Sequence, residues 1–199
     1  MTADQGIRWP HQSLRQAWTS TDIYQLGATE PWVQQVVADL LVAKESRIVL
    51  ELGCYMGLTT AWLALALESI GGGTLIGVEI EEERARATEE RLADLPIPHV
   101  HWTIQQQDSL TALRQLSPGT IDFAWIDDDH TPKHVAQELE WLCRPTMRLE
   151  RRMKAGGLIC LHDVKGPLGL EGVCVGYHGY TLDFPKIGVA GGLGLIAIA

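Results

Sequence analysis

The chain has 199 residues and carries 16 Lys+Arg against 25 Asp+Glu, a formal charge of −9. That length suits one domain burying roughly 70% of the surface its unfolded chain exposes, and 46% apolar with 21% charged residues excludes large-scale disorder. An acidic chain with no basic run is not built to grip a nucleic acid backbone, and its longest apolar stretch, 58–67, is about half a membrane span.

The N-terminal MTADQGIRWPHQ has no apolar h-region, so no signal peptide is expected. Cys54, Cys143, Cys160 and Cys174 are scattered without a C-x-x-C and read as reduced thiols, which places the chain in the cytoplasm. Residues 1–28 show little periodicity and mix Trp9, Trp18 and Tyr24 with polar residues, as an N-terminal arm packed over another surface would. A domain spanning 29–199 follows. It opens on a helix with Thr29 as N-cap, Pro31 in the first turn, and one stripe of Trp32, Val33, Val36, Val37, Leu40 and Leu41.

From Arg47 the pattern alternates. Apolar runs suited to buried parallel strands are 47–52, 74–79, 99–104, 121–127 and 157–162. Helical stretches lie between them at 57–70, 81–95, 109–116 and 132–154, the last with a break expected at Pro145. The alternation predicts an α/β fold, a Rossmann-like, mostly parallel sheet with helices on both faces. After Gly156, segments 180–185 and 192–199 read as two further strands with no long helix between them. A hairpin connection makes the last strand antiparallel to its neighbours.

The most informative segment runs from Val49 to Thr60: a strand ending in an acid, a glycine turn, then a helix. In an open parallel sheet, ligands bind beyond the carboxyl ends of the strands near the switch point. A dinucleotide turn needs G-x-G-x-x-G, yet Tyr55 stands where the second glycine should be, and no G-K-[ST] is present. What remains is E-x-G-x-x-x-G-x-T-T, with a carboxylate leading into the turn; Glu51, Gly53, Cys54, Tyr55, Gly57 and Thr59 are its candidate cofactor-binding residues. A carboxylate there repels phosphate and suits a cationic amine, such as that of S-adenosylmethionine. The second strand ends at Glu79-Ile80, where an acid can accept both hydroxyls of a ribose. The third leads into Asp108-Ser109, a polar acceptor for an adenine amino group. The plainer alternatives are a turn merely shaped by Gly53 and Gly57, a helix start at Glu79, and an N-cap at Asp108.

In its order of motifs the chain resembles a small class I S-adenosylmethionine-dependent methyltransferase. The resemblance rests on ExGxxxGxT, an acid ending the second strand, QDSL, IDFAWIDDDH and GGLICLHDV, and covers residues 29–199. It is similar to the Methyltransf_24 group and, through it, to the catechol O-methyltransferase type. That resemblance implies a seven-stranded sheet with an antiparallel last strand. It also implies Glu51, Gly53 and Gly57 around the methionine moiety, Glu79 at the ribose, and Asp108 with Ser109 at the adenine.

The fourth strand ends in Asp127-Asp128-Asp129-His130 and the fifth in His162-Asp163, so neighbouring parallel strands bring these groups to one rim. Three consecutive acids raise one another's pKa values unless a cation compensates. In one reading Asp127, His162 and Asp163 ligate a divalent cation, Mg²⁺ or Mn²⁺, with His130 as base. The catechol-type pattern has Asp-Asn where this chain has His162-Asp163, and histidine tilts the preference towards Mn²⁺ or a later metal. In a second reading His130 alone is the base, oriented by an Asp such as Asp127. In a third, Thr131-Pro132 simply caps a helix. His134 is expected on a solvated helix face, Trp62, Trp125 and Trp141 in the core, and Trp102 near the adenine.

No long lid is expected in 1–28, 128–133 or 164–180, which favours a small-molecule acceptor or a site completed by a partner subunit in a homo-oligomer. The leading expectation is methyl transfer to an oxygen, with neither nucleic acid nor membrane as partner. The alternatives are a metal-dependent oxygenase-like relative on the same fold and a non-catalytic nucleoside-binding module.

Overall fold

The computed structural model describes residues 29–144, 150–167, 169–183 and 191–199. Helices are α1 (Pro31–Ala43), α2 (Leu58–Ser69), α3 (Glu82–Ala93), α4 (Ser109–Gln115), α5 (Pro132–Cys143) and α6 (Leu170–Gly176). Strands are β1 (Ile48–Leu52), β2 (Gly73–Glu79), β3 (Val100–Gln106), β4 (Ile121–Ile126), β5 (Met153–Lys165), β6 (Tyr180–Leu182) and β7 (Gly191–Ala197). They form one seven-stranded sheet in the order β3-β2-β1-β4-β5-β7-β6. The first five pair in parallel, and β7 lies between β5 and β6, antiparallel to both.

Strand alternation divides the apolar residues between two cores. Val49, Phe123, Trp125 and Cys160 face one side, where the apolar residues of α1 and α2 cover them. Leu50, Leu52, Ala124, Ile126, Ile159 and Leu161 face the other, against α4, α5 and α6. Leu58 to Leu67 of α2 are all buried because the helix is held between the sheet and α1, so it needs no polar face. Chain order reverses between β1 and β4, which opens a crevice beyond their carboxyl ends.

Several local expectations are corrected. Glu30, not Thr29, is the N-cap of α1, and Thr29 turns its hydroxyl to Asp127 instead. The stretch 132–154 is helical only to Cys143; Pro145 lies outside the described residues, and 153–154 already belong to β5. β5 extends beyond both ends of 157–162: Met153 pairs with Ile121 of β4 at one end, and β7 pairs as far as Lys165 at the other, through a register shift after His162. A helix of about two turns, α6, occupies 170–176, where loop was expected. Trp62 and Trp125 are core residues as expected, and Trp102 packs on the same core rather than on the cavity. The expected arm 1–28 and most of 183–190 lie outside the described residues. No described helix is long and apolar enough to cross a membrane.

Candidate active site

The turn after β1 is held by its neighbours more than by its own sequence. Gly53 has φ +87°, and its N–H donates to the Val78 carbonyl at 2.9 Å. A Cβ on Gly53 would sit 2.4 Å from the Asp127 carbonyl oxygen, so only glycine lets β1 and β4 exits approach this closely. Tyr55 holds φ +49° without being glycine. Glu79 Oε2 accepts its N–H at 2.8 Å and its carbonyl accepts from Thr88 Oγ1 at 3.1 Å, which fixes that conformation from both sides. The Arg84 guanidinium lies 4.9 Å from the Tyr55 ring centroid.

Beyond this turn lies a cavity of about 450 Å³. Gly53, Cys54, Tyr55, Thr59, Glu79, Ile80, Asp108, Ser109, Asp127 and His130 all line it. Glu79 accepts the Tyr55 N–H with one oxygen and the Glu81 N–H at 3.0 Å with the other, and an ionised carboxylate retains acceptor capacity on both. Asp108 is also the N-cap of α4, its Oδ1 accepting the Thr111 N–H at 3.0 Å; Thr111, through its side chain first and then this N–H, lowers the Asp108 pKa. Replacing Asp108 with Ala is expected to cost about 1 kcal/mol of stability through the lost cap, read as a urea midpoint shift at constant slope.

Gly57 and Glu51 do not line the cavity. Gly57 is the left-handed N-cap of α2, pressed against Thr88. Glu51 is fully buried beside Thr60 and Cys54, with no hydrogen bond to either carboxyl oxygen. Burial pushes its pKa up to about 8, with Asp127 and Glu79 adding to the rise, so at neutral pH it is largely an uncharged acid behind the wall. The charges that reach the cavity are those of Glu79, Asp108 and the acids after β4.

At the other end, β4 and β5 bring Asp127, His130, His162 and Asp163 together as expected. His162 is buried, with Nδ1 2.8 Å from Asp127 Oδ1 and Nε2 2.9 Å from Glu30 Oε2. Burial alone would push its pKa down, but these carboxylates hold it well above the ordinary value, as a doubly donating imidazolium. Asp127 is held well below the ordinary carboxylate range, despite its burial, by His162 and His130. Its Oδ2 also accepts the Thr29 hydroxyl at 2.5 Å. His130 Nε2 lies 3.2 Å from Asp127 Oδ1 and 3.9 Å from Asp163 Oδ2, without hydrogen-bond geometry to either. Its burial favours the neutral ring, but Asp127 and Asp163 outweigh that and raise its pKa above 6.5. Asp163 adopts φ +52°, a conformation aspartate tolerates better than most residues, and burial raises its pKa.

Three groups were not expected from the sequence. Glu30 closes the far side of His162. Gln34 lines the cavity and donates to Thr59 Oγ1 at 3.0 Å. His134 is not on a solvated face: it lines the cavity and contacts Ser109, Asp128 and the fully buried Glu138. A signal for the last was present, since Glu138 falls on the apolar stripe Val135, Leu139, Leu142 of α5, one turn after His134.

A seven-stranded sheet with its final strand inverted, and an acid-lined cavity beyond β1, β2 and β4, match the architecture expected of a class I S-adenosylmethionine-dependent methyltransferase. The chain belongs to the Methyltransf_24 family, described as a methyltransferase domain, whose model matches residues 50–164. No curated protein matches it. Among solved structures it is similar to the O-methyltransferase TomG of Streptomyces achromogenes, involved in tomaymycin synthesis and solved with S-adenosylmethionine. That match has 19% identity, a TM-score of 0.68, and covers 95% of this chain and 91% of that one. An O-methyltransferase from Bacillus cereus, solved with S-adenosylhomocysteine, is 17% identical with a TM-score of 0.69, covering 97% of this chain and 94% of that one. A methyltransferase from Geobacter sulfurreducens is 15% identical with a TM-score of 0.66, covering 95% of this chain and 91% of that one.

Proposed function

We propose that the protein transfers the methyl group of S-adenosylmethionine to an oxygen of a small-molecule acceptor, with His130 taking the acceptor's proton. The observation that carries this is that one cavity is lined by Glu79 and Asp108, from the ends of β2 and β3, and by Asp127 and His130, from beyond β4 on the other side of β1. In this reading Glu79 accepts the ribose hydroxyls, Asp108 and Ser109 meet the adenine, and Ile80 provides an apolar shelf. Gly53, Cys54, Tyr55 and Thr59 shape the wall for the methionine moiety, whose amine faces Asp127 instead of the neutral Glu51. Asp127 also positions His130. Methyl transfer is an in-line displacement, so alignment of acceptor and sulfonium carries much of the rate, and a base with pKa near the working pH removes the proton efficiently.

The titratable rim suits an oxygen acceptor, since an alcohol or phenol is a weak nucleophile until its proton is removed. The acidic charge supports a small acceptor over a nucleic acid. The acceptor site is completed either by this chain alone or by a second copy.

Calorimetric titration with S-adenosylhomocysteine tests the cofactor half. The protein is expected to bind it, and Glu79→Gln to weaken binding by about 10–100-fold, the worth of a charged hydrogen bond. No binding to the wild type at millimolar ligand, or equal binding by the variant, would remove the assignment.

A second reading, in which a divalent cation assists, is favoured by a separate observation. Ligating atoms of Asp127, His130 and His162 lie within 4.8 Å of one another, and the buried Nε2 of His130 has no hydrogen bond. The expected set Asp127, His162 and Asp163 is thereby changed: His130 joins the first two, while Asp163 groups with His162 and Glu30. Two imidazoles fit Mn²⁺ or a later metal better than Mg²⁺. Such an ion would hold the acceptor oxygen and lower its pKa. His130 would then be a ligand and not the base, so the two readings exclude each other. Activity that survives exhaustive chelation supports the base; activity lost on chelation and restored by Mn²⁺ supports the ion.

A further inference from the structure

On the cavity wall, and sharing no side chain with the Asp127 rim, three groups from three elements converge on one atom. His134 Nε2 lies 2.9 Å from Ser109 Oγ, 3.3 Å from Glu138 Oε1 and 3.4 Å from Asp128 Oδ2. A single N–H can serve one of these three oxygens well, yet all three face it. Glu138 is fully buried and neither of its oxygens has a hydrogen bond; Asp128 Oδ1 has none either. Ionising an acid buried this way is costly unless a cation compensates. An imidazolium is one such cation, but a lone proton on Nε2 leaves the oxygens of Glu138 without hydrogen bonds.

The distances fit a different occupant. A tetrahedral ion with bonds of about 2.0–2.1 Å has ligand-to-ligand edges of about 3.3 Å, close to the observed 3.3 and 3.4 Å. On the far side of the ring, His134 Nδ1 faces Asp129 Oδ2 at 3.9 Å, beyond hydrogen-bond distance. We propose that Asp128, His134 and Glu138 form a structural site for a divalent transition metal of the Zn²⁺ type, with the Ser109 hydroxyl beside its fourth position. One imidazole and two carboxylates suit Zn²⁺ better than Mg²⁺, which prefers six oxygen ligands and keeps several waters. The ion would tie the loop after β4 to the starts of α4 and α5, and so stiffen one wall of the cavity.

The test uses the full chain, stripped with a chelator and reloaded with Zn²⁺ alone. Wild type is expected to retain one more equivalent of zinc than Glu138→Gln, a variant that keeps the volume and removes one ligand charge. Its melting temperature should rise by about 5–10 °C at zinc roughly a hundredfold above Kd, and that of the variant should not rise through this site. Zinc-edge anomalous density from wild-type crystals should lie among Asp128, His134 and Glu138. This measurement decides the matter even where the variant fails to fold. Equal zinc retention by wild type and variant, or anomalous density confined to Asp127, His130 and His162, would overturn the proposal.

Discussion

His130→Ala is expected to lower kcat by about 10²–10⁴-fold, the range for loss of a positioned base, while leaving S-adenosylhomocysteine binding intact. His130 sits at the rim of the cavity, and its ring contributes no residue-sized part of the core. The pH dependence makes the prediction specific. Asp127 and Asp163 raise the His130 pKa above 6.5, and only the neutral ring can accept a proton. The rate should therefore climb with pH through a value above 6.5 and fall away below it. Stability linked to the same group runs the other way: it is fully present below about 6.5 and is lost as pH rises through the folded-state pKa. Asp127→Asn removes the first-named carboxylate holding that pKa up, so in variants retaining measurable turnover the acidic limb should move to lower pH. A His130→Ala enzyme with near-wild-type kcat would eliminate the histidine as base.

Gly53→Ala is expected to cost on the order of 3 kcal/mol or more of folding stability and to abolish cofactor binding. The added Cβ would lie 2.4 Å from the Asp127 carbonyl oxygen and 2.8 Å from Asp128 Cα. Both are backbone atoms and cannot rotate aside. Relief would require separating the β1 and β4 exits, whose pairing runs up to Leu52 and Ile126, and that separation would move Asp127 and reshape the cavity. Gly119 provides the control. It also has a left-handed backbone, φ +64°, but an added Cβ meets nothing within 4 Å. Gly119→Ala should therefore carry only the conformational cost, about 1–2 kcal/mol. Chemical denaturation of the two variants separates steric approach from backbone strain; equal losses would show that the close approach is unimportant.

The site was legible in part. Glu79 and Asp108 stand at strand ends, where a parallel sheet opens towards ligand, and both reach the cavity. Glu51 stands at an equivalent strand end, yet its side chain is buried beside Thr60 and Cys54. Which way a strand-end side chain turns depends on what packs behind it, and one sequence does not show that. Thr29 illustrates the same limit: its type and position suit an N-cap, but Asp127, 98 residues later, takes its hydroxyl. Glu30 reaches His162 across 132 residues, with no local pattern to mark it.

What the amino-acid order determined by itself is the order of elements from α1 to β5, the parallel core of the sheet and the inverted last strand. Those follow from hydrophobic period, strand length and turn chemistry, all of which act between residues close in the chain. The tertiary structure alone decided the charge state of Glu51, the enclosure of His162 by Asp127 and Glu30, and the gathering of Asp128, His134 and Glu138. Each of these depends on burial and on carboxylates and imidazoles brought together from distant segments. Desolvation and short-range electrostatics act only once the chain has folded around them.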